Sequence, residues 1–366
     1  MKQRLGNFDL LKILSIYIII IHHYALWSGW KFEAGFHLNK LTAETMLIGG
    51  KLGVNLFVMI TGYFLIQSRA KIKSLLNVII ETTVFSIIMY LVTIGLHLTD
   101  HQFEWLAFLR KVFPVIFNEY WFVTAYTLMY LCVPAINKLM LTTSVEKIRK
   151  VLFFAFIILS LYTLIFFEKG VNFAHPIWFI YLYCIGGYIR LNQEKLKKIK
   201  LPRLILGLVT FFGMGIVLNI FLQITLTNTT SKLTTLLRSL GWFENIFYTR
   251  DASPLLLVMS ILIFLIFLQF SIPSSKPLTY LANASFGVYL FQSAKIFSTS
   301  VLWPQIVQGA HYYSSKFILF RGILWALLIF IAGTILYTVL RPVIKVCQVF
   351  IGKLVDKIIS KKRIVD

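Results

Sequence analysis

The sequence predicts an all-α integral membrane protein, a bundle of about ten transmembrane helices with both termini in the cytoplasm. Of 366 residues, 58% are hydrophobic and only 14% are charged, which is too little polar material to cover a soluble globule of this size. Many apolar runs reach the roughly 20 residues that carry a helix across about 30 Å of hydrocarbon with every backbone polar group paired inside it. Lys and Arg gather in alternate loops, the asymmetry that orients a polytopic chain.

Taken in order, spans are predicted at about 8–29, 47–67, 75–98, 119–137, 150–167, 172–190, 204–226, 253–270, 278–298 and 318–340. Lys2 and Arg4 precede the first run as in a signal peptide, but Asp9 and Lys12 interrupt its start and no small-residue cleavage site follows, so it is expected to stay as the first helix. The second and third spans are parted by Arg69 to Lys73, the fourth and fifth by Lys138 to Lys150, and the sixth and seventh by Arg190 to Arg203. Lys276 precedes the ninth, and a basic tail begins at Arg341. With the N-terminus inside, cytoplasmic segments hold 23 Lys and Arg and external ones 9, while Lys12, Lys51, Lys295 and Arg321 fall within spans. Residues 102–118, broken by Arg110, Lys111 and Pro114, fit an interfacial or re-entrant segment, since a full span there would invert every later loop. The longest mainly polar connection, 227–252, lies outside and carries the sequon Asn228-Thr229-Thr230, which matters only in a eukaryotic host. Residues 1–345 are expected to form one transmembrane domain and 346–366 a basic cytoplasmic tail.

The net charge of +22 does not mark a nucleic-acid binder, because the cations sit in short loops rather than on one face beside stacking aromatics. Cys132, Cys184 and Cys347 form no CxxC and have no His at ligand spacing, so they fit apolar packing, and no metal motif is present.

Ionisable groups inside a membrane are costly and are candidates for function. The first span holds Asp9, Lys12, His22 and His23. Lys12 and His23 are 11 residues apart, within some 20° of three full turns and separated by roughly 16 Å along the axis. One face thus sets a carboxylate and an ammonium near the cytoplasm and an imidazole towards the outer half. A cation there can hold an anionic donor, and an imidazole can take a proton from a hydroxyl near neutral pH. The same residues also fit a Lys12 that reaches to the interface with Asp9 as its ion pair, and histidines that mark the outer surface. In the second span Gly49, Gly50, Gly53 and Gly62 permit close helix approach, and Asn55 and Thr61 need polar partners. Arg69, Lys71 and Lys73 can bind phosphates or simply set topology. Glu81 is a further intramembrane carboxylate near the inner half.

Asn7-Phe8-Asp9-Leu10-Leu11-Lys12-Ile13-Leu14 followed by His23 resembles the first helix of the membrane acyltransferase 3 family, whose members O-acylate bacterial surface polysaccharides, peptidoglycan and related acceptors. Gly53-Val54-Asn55-Leu56-Phe57 through Thr61-Gly62-Tyr63 is similar to its second helix, with Asn55 for the common Asp and Thr61 for the common Ser. Trp121-Phe122 with Tyr130 and Pro134 resembles its aromatic helix ending in proline. Ser285 to Gln292 resembles its late Tyr-Leu-aromatic-His element, with Gln292 where many members have His. The family's inner Arg, two residues, Arg pattern is met only by Arg69, Lys71 and Lys73 at another spacing.

The resemblance spans nearly the whole chain. It implies that His23 is the catalytic histidine, as general base or brief acyl carrier, with Lys12 holding the donor and Asp9 orienting Lys12. Arg69, Lys71 and Lys73 would bind the phosphates of acetyl-CoA, a co-substrate rather than a bound cofactor. Asn55, Trp121, Ser285 and Tyr289 would line the path. The acceptor would be a hydroxyl of a surface or lipid-linked glycan, at a bacterial plasma membrane. A flippase for a lipid-linked glycan is the alternative and predicts translocation without donor turnover. A glycan polymerase would call for a larger outer loop with several arginines, whereas 227–252 offers Arg238 and Arg250.

Overall fold

A computed structural model describes residues 5–166 and 175–365, with side chains placed as far as 357. Lys2, Arg4, the junction of the fifth and sixth predicted spans at 167–174, and the side chains that end the tail lie outside the described residues. Among the described residues the chain is helical and contains no strand.

The principal helices are α1 (Gly6–Trp27), α2 (Leu38–Met46), α3 (Ile48–Leu65), α4 (Ile72–Gly95), α5 (Trp105–Val112), α6 (Trp121–Thr142), α7 (Val145–Ile165), α8 (His175–Leu191), α9 (Leu201–Thr227), α10 (Lys232–Ser239), α11 (Pro254–Gln269), α12 (Lys276–Gln292) and α13 (Ile318–Val365). Local chemistry sets several starts. The hydroxyls of Ser144, Ser253 and Ser275 accept from the backbone N–H of Lys147, Leu256 and Leu278, which satisfies donors that have no partner within the first turn. Pro202, Pro254 and Pro277 stand in the first turn, where a missing N–H costs nothing.

Among the described residues seven segments are long and apolar enough to cross a membrane: α1, α2 with α3, α4, α6, α7, α9 and α13. Each has apolar residues turned outward, such as Val217 on α9 and Val339 on α13, both 65% exposed, as a multi-pass membrane protein requires. The remaining three predicted spans correspond to α8, α11 and α12, of 17, 16 and 17 residues. Between α4 and α6, α5 is only 8 residues long and cannot cross. Its Lys111 pairs with Glu119, both side chains under 10% exposed, which ties that segment to the start of α6. The sequence set a tail apart after residue 345, yet α13 runs on through Pro342 as one helix to Val365.

At the centre, α3 is pressed between α1 and α8. A Cβ on Gly53 would stand 2.6 Å from the Ser15 carbonyl oxygen of α1, and one on Gly62 would strike the Tyr183 carbonyl of α8, so only glycine allows these backbones to meet. On the other side of α1, α12 closes the bundle and is backed by α13. Asn55 lies in this packed zone, 1% exposed, donating to Ser260 Oγ at 3.2 Å and accepting from Trp178 Nε1 at 3.2 Å. It stitches α3 to α11 and α8, and its side chain is absent from the cavity wall it was expected to line, because both ends of its amide are taken. Ser285 is likewise 1% exposed and donates to the Leu281 carbonyl of its own helix.

Candidate active site

Two cavities open between α1, α3 and α12, one at each end of the bundle. The larger, about 810 Å³, is lined by Asp9 and Lys12 of α1, Tyr63 and Gln67 of α3, Arg190, Gln193, Lys197 and, on α12, Asn283. The smaller, about 180 Å³, is lined by Ile16, Ile19, His22 and His23 of α1, Lys51, Val54 and Phe57 of α3, Trp121 and Phe122 of α6, and Phe286 and Tyr289 of α12. Its wall is apolar apart from the imidazoles, the Lys51 ammonium, and the indole and phenol edges.

The helix period explains this pairing. Lys12, Ile16, Ile19 and His23 recur at the i, i+4, i+7, i+11 spacing of a single helix face. The first lines the larger cavity and the other three the smaller. From Lys12 to Ile16 is one turn, about 6 Å. On α12, Asn283 and Phe286 make the same change of cavity within three residues.

The two histidines are held differently. His22, 7% exposed, has its Nδ1 2.8 Å from the Leu47 carbonyl oxygen, at the junction of α2 and α3. A carbonyl only accepts, so this nitrogen is the donor. His23 has its Nδ1 2.7 Å from Gln292 Oε1. That amide oxygen also only accepts, so Nδ1 is the donor and Nε2 is the nitrogen left outside this bond. Trp27 and Trp303 stand edge-on to the His23 ring, each with its centre 6.4 Å away.

At the other end the arginine is preorganised. Arg190 Nη1 donates to Tyr63 Oη at 3.0 Å and to Gln193 Oε1 at 2.9 Å, Nε donates to Gln67 Oε1 at 3.2 Å, and the guanidinium lies 4.9 Å from the Tyr63 ring centre. Asp9 accepts from Thr279 Oγ1 at 3.3 Å, which fastens the start of α1 to α12. A cavity with Lys12, Arg190 and Lys197 on its wall suits a phosphate-bearing ligand.

Among the predicted site residues, His23, Trp121 and Tyr289 surround the smaller cavity and Lys12 and Asp9 the larger. Asn55 and Ser285 line neither. Arg69, Lys71 and Lys73 are exposed and also lie off both walls. The backbone of Lys71 pairs with Tyr130 Oη, and Lys73 Nζ is 2.6 Å from Asp356 on α13, because α4 starts against the final turns of that helix.

Sequence reasoning noted Gln292 only as a departure from the family's His, without a role, and passed over Arg190 as a ligand and a cluster at the mouth of the smaller cavity. There Lys51 pairs with Asp251, whose other oxygen lies 2.6 Å from His175 Nδ1, and the Lys51 ammonium stands 4.8 Å from the Trp121 ring centre. Burial presses the Asp251 carboxyl upward, but the His175 hydrogen bond and the Lys51 charge outweigh it and hold its pKa at about 2. One signal was available: Lys51 sits in an apolar span and needs a carboxylate, and Glu244 and Asp251 are the two that the 227–252 loop contains.

A family model described as an acyltransferase domain matches residues 5–341. No curated protein and no solved structure gives a match.

Proposed function

The chain belongs to the acyltransferase 3 family, and from that premise we propose that it is a membrane-bound O-acyltransferase that moves an acyl group, acetyl in the first instance, from cytoplasmic acyl-CoA to a hydroxyl of a cell-surface or lipid-linked glycan. The observation that carries this reading is the α1 stripe Lys12, Ile16, Ile19, His23, which joins a cationic cavity at one end of the bundle to a basic imidazole at the other.

In this reading α8, α11 and α12 also cross the bilayer, the protein has about ten spans, and the Lys12 end faces the cytoplasm of a bacterial cell. The excess of 23 basic residues over 9 across alternate loops supports that orientation. Acetyl-CoA then docks from inside with its phosphates on Lys12, Arg190 and Lys197. Arg69, Lys71 and Lys73 supply the attracting field around the entrance rather than direct contacts. The thioester arm extends along the stripe past Ile16.

His23 performs the chemistry with the tautomer that Gln292 imposes. As the acceptor oxygen attacks the thioester carbonyl, its proton passes to Nε2. The C–S bond then breaks, and the proton goes from the imidazolium to the departing thiolate, so the products are the O-acyl ester and free CoA. A positioned base of this kind is worth about 100- to 10,000-fold in rate.

The test is a mass comparison of surface glycans from cells that carry the wild-type gene, no gene, or His23→Ala at equal protein level. An acyl increment that needs both the gene and His23 supports the reading. An increment that persists in His23→Ala removes histidine catalysis, and glycan export that fails while no acyl group is lost would favour a flippase.

A further inference from the structure

We propose that Lys51, clamped by Asp251 against the face of Trp121, is an acceptor-binding residue, and that Asp251 and His175 are positioning residues which hold its ammonium at the mouth of the smaller cavity. This inference rests on the acyltransferase reading above and adds to it the group that receives the second substrate.

Place in the fold is the first argument. Trp121 opens α6, His175 stands at the described start of α8, and Asp251 lies three residues before α11. The clamp therefore gathers the ends of three helices around the smaller cavity, at the end of the bundle away from Lys12. A donor that arrives along the Lys12 stripe reaches His23 from below, which leaves this rim as the acceptor's approach.

Chemistry is the second. Among the described residues that line the smaller cavity Lys51 is the one lysine or arginine, and its side chain is 19% exposed. A cation kept on an apolar wall is costly unless paired, and Asp251 supplies the pair. A purely structural ion pair would need no more than that. Here the indole face holds the ammonium from one further direction, and His175 in turn holds the carboxylate that pairs it. An ammonium has three N–H groups and the carboxylate takes one, so a hydroxyl or ether oxygen entering the cavity can be drawn onto Lys51 while a neighbouring hydroxyl lies against His23. The aromatic faces of Trp121 and Phe122 meet the apolar side of such a molecule.

The experiment uses the full chain in membranes and two readouts, binding of labelled acetyl-CoA to the purified protein and acyl content of the cell's own surface glycan. Lys51→Met is expected to leave acetyl-CoA binding unchanged while glycan acylation falls about 10- to 100-fold, the scale of one lost charged hydrogen bond. Lys51→Arg should restore much of the loss, and Asp251→Asn should fall between. Full acylation in Lys51→Met overturns the inference. A parallel loss of donor binding and acylation also overturns it, since that marks a structural tie between α3 and the 250s loop. Undiminished acylation in His23→Ala would instead sink the acyltransferase mechanism, whatever Lys51 does.

Discussion

Replacing Gln292 with methionine keeps a side chain of similar length in the same packed position and removes the oxygen that accepts from His23 Nδ1 at 2.7 Å. Gln292 is fully buried, at 0% exposure, so water does not stand in for the lost acceptor. The buried imidazole N–H then lacks a partner, which costs about 1–3 kcal/mol. Unless the ring is re-seated, it also loses the bias that keeps the lone pair on Nε2. With about 1.4 kcal/mol per tenfold, the expected fall in acyl transfer is about 5- to 150-fold. That is smaller than the loss from removing the base itself, about 100- to 10,000-fold, so Gln292→Met should retain activity that His23→Ala does not. The assay is acyl content of surface glycan per unit of protein, with labelled acetyl-CoA binding as the measure of a folded site. A Gln292→Met protein with wild-type transfer would refute the tautomer argument, and one as dead as His23→Ala would make Gln292 part of the proton path rather than its guide.

His22 donates to the Leu47 carbonyl at a helix junction, so His22→Ala is expected to lower the melting temperature, by loss of about 1–3 kcal/mol, while transfer per folded molecule stays near wild type; a dead but stable His22→Ala would reassign the base. Arg190→Gln should weaken acetyl-CoA binding about 10- to 100-fold, the worth of charged hydrogen bonds to phosphate, whereas Arg69, Lys71 and Lys73 all changed to Gln should bind nearly as well as wild type. Equilibrium binding of labelled acetyl-CoA decides, and the reverse order would return the donor to the cluster at the start of α4. A cysteine at Ser231 should react with an impermeant thiol reagent in intact cells and Cys347 should not; reversed labelling would invert the bundle and the direction of transfer.

Much of the fold was legible because hydrocarbon imposes a single period and length on every span. The apolar runs gave the helices, and the break at Arg110, Lys111 and Pro114 marked α5 as too short to cross. The end of α13 was not legible. Pro342 argues for a stop near Arg341, yet the helix continues because Ile344 is buried, Gln348 donates to the Asn77 carbonyl and Asp356 pairs with Lys73 across on α4. Those contacts are hundreds of residues apart in sequence and no local pattern announces them. The candidate site divides in the same way. Lys12 and His23 share one helix, so their spacing reveals their common face. Asn55 needed its neighbours to be known, since a polar residue two positions from Gly53 can face a cavity or a partner helix equally well. Lys51 and Asp251 are 200 residues apart and meet because α11, which Asp251 precedes, packs on α3, whereas α1, α3 and α8 close to backbone contact at glycines.

That closeness bears on how, in the reaction proposed above, two substrates from opposite sides of a membrane would meet without a leak. The larger cavity is polar and wide, the smaller is tight and mostly apolar, and the lining changes from one to the other between Lys12 and Ile16 on α1, between Phe57 and Tyr63 on α3 and between Asn283 and Phe286 on α12. An open channel would pass ions, whereas a thick septum would keep the thioester from His23. A barrier of one to two helical turns, roughly 6–9 Å, is short enough for a slender flexible arm to thread and is packed with side chains such as Ile16, fully buried at 0% exposure. Its tightness depends on Gly53, where any larger residue would force α3 off the Ser15 carbonyl and widen the gap beside Ile19. The glycine that lets α1 and α3 meet therefore also keeps closed the wall that the acyl group would cross in the proposed reaction.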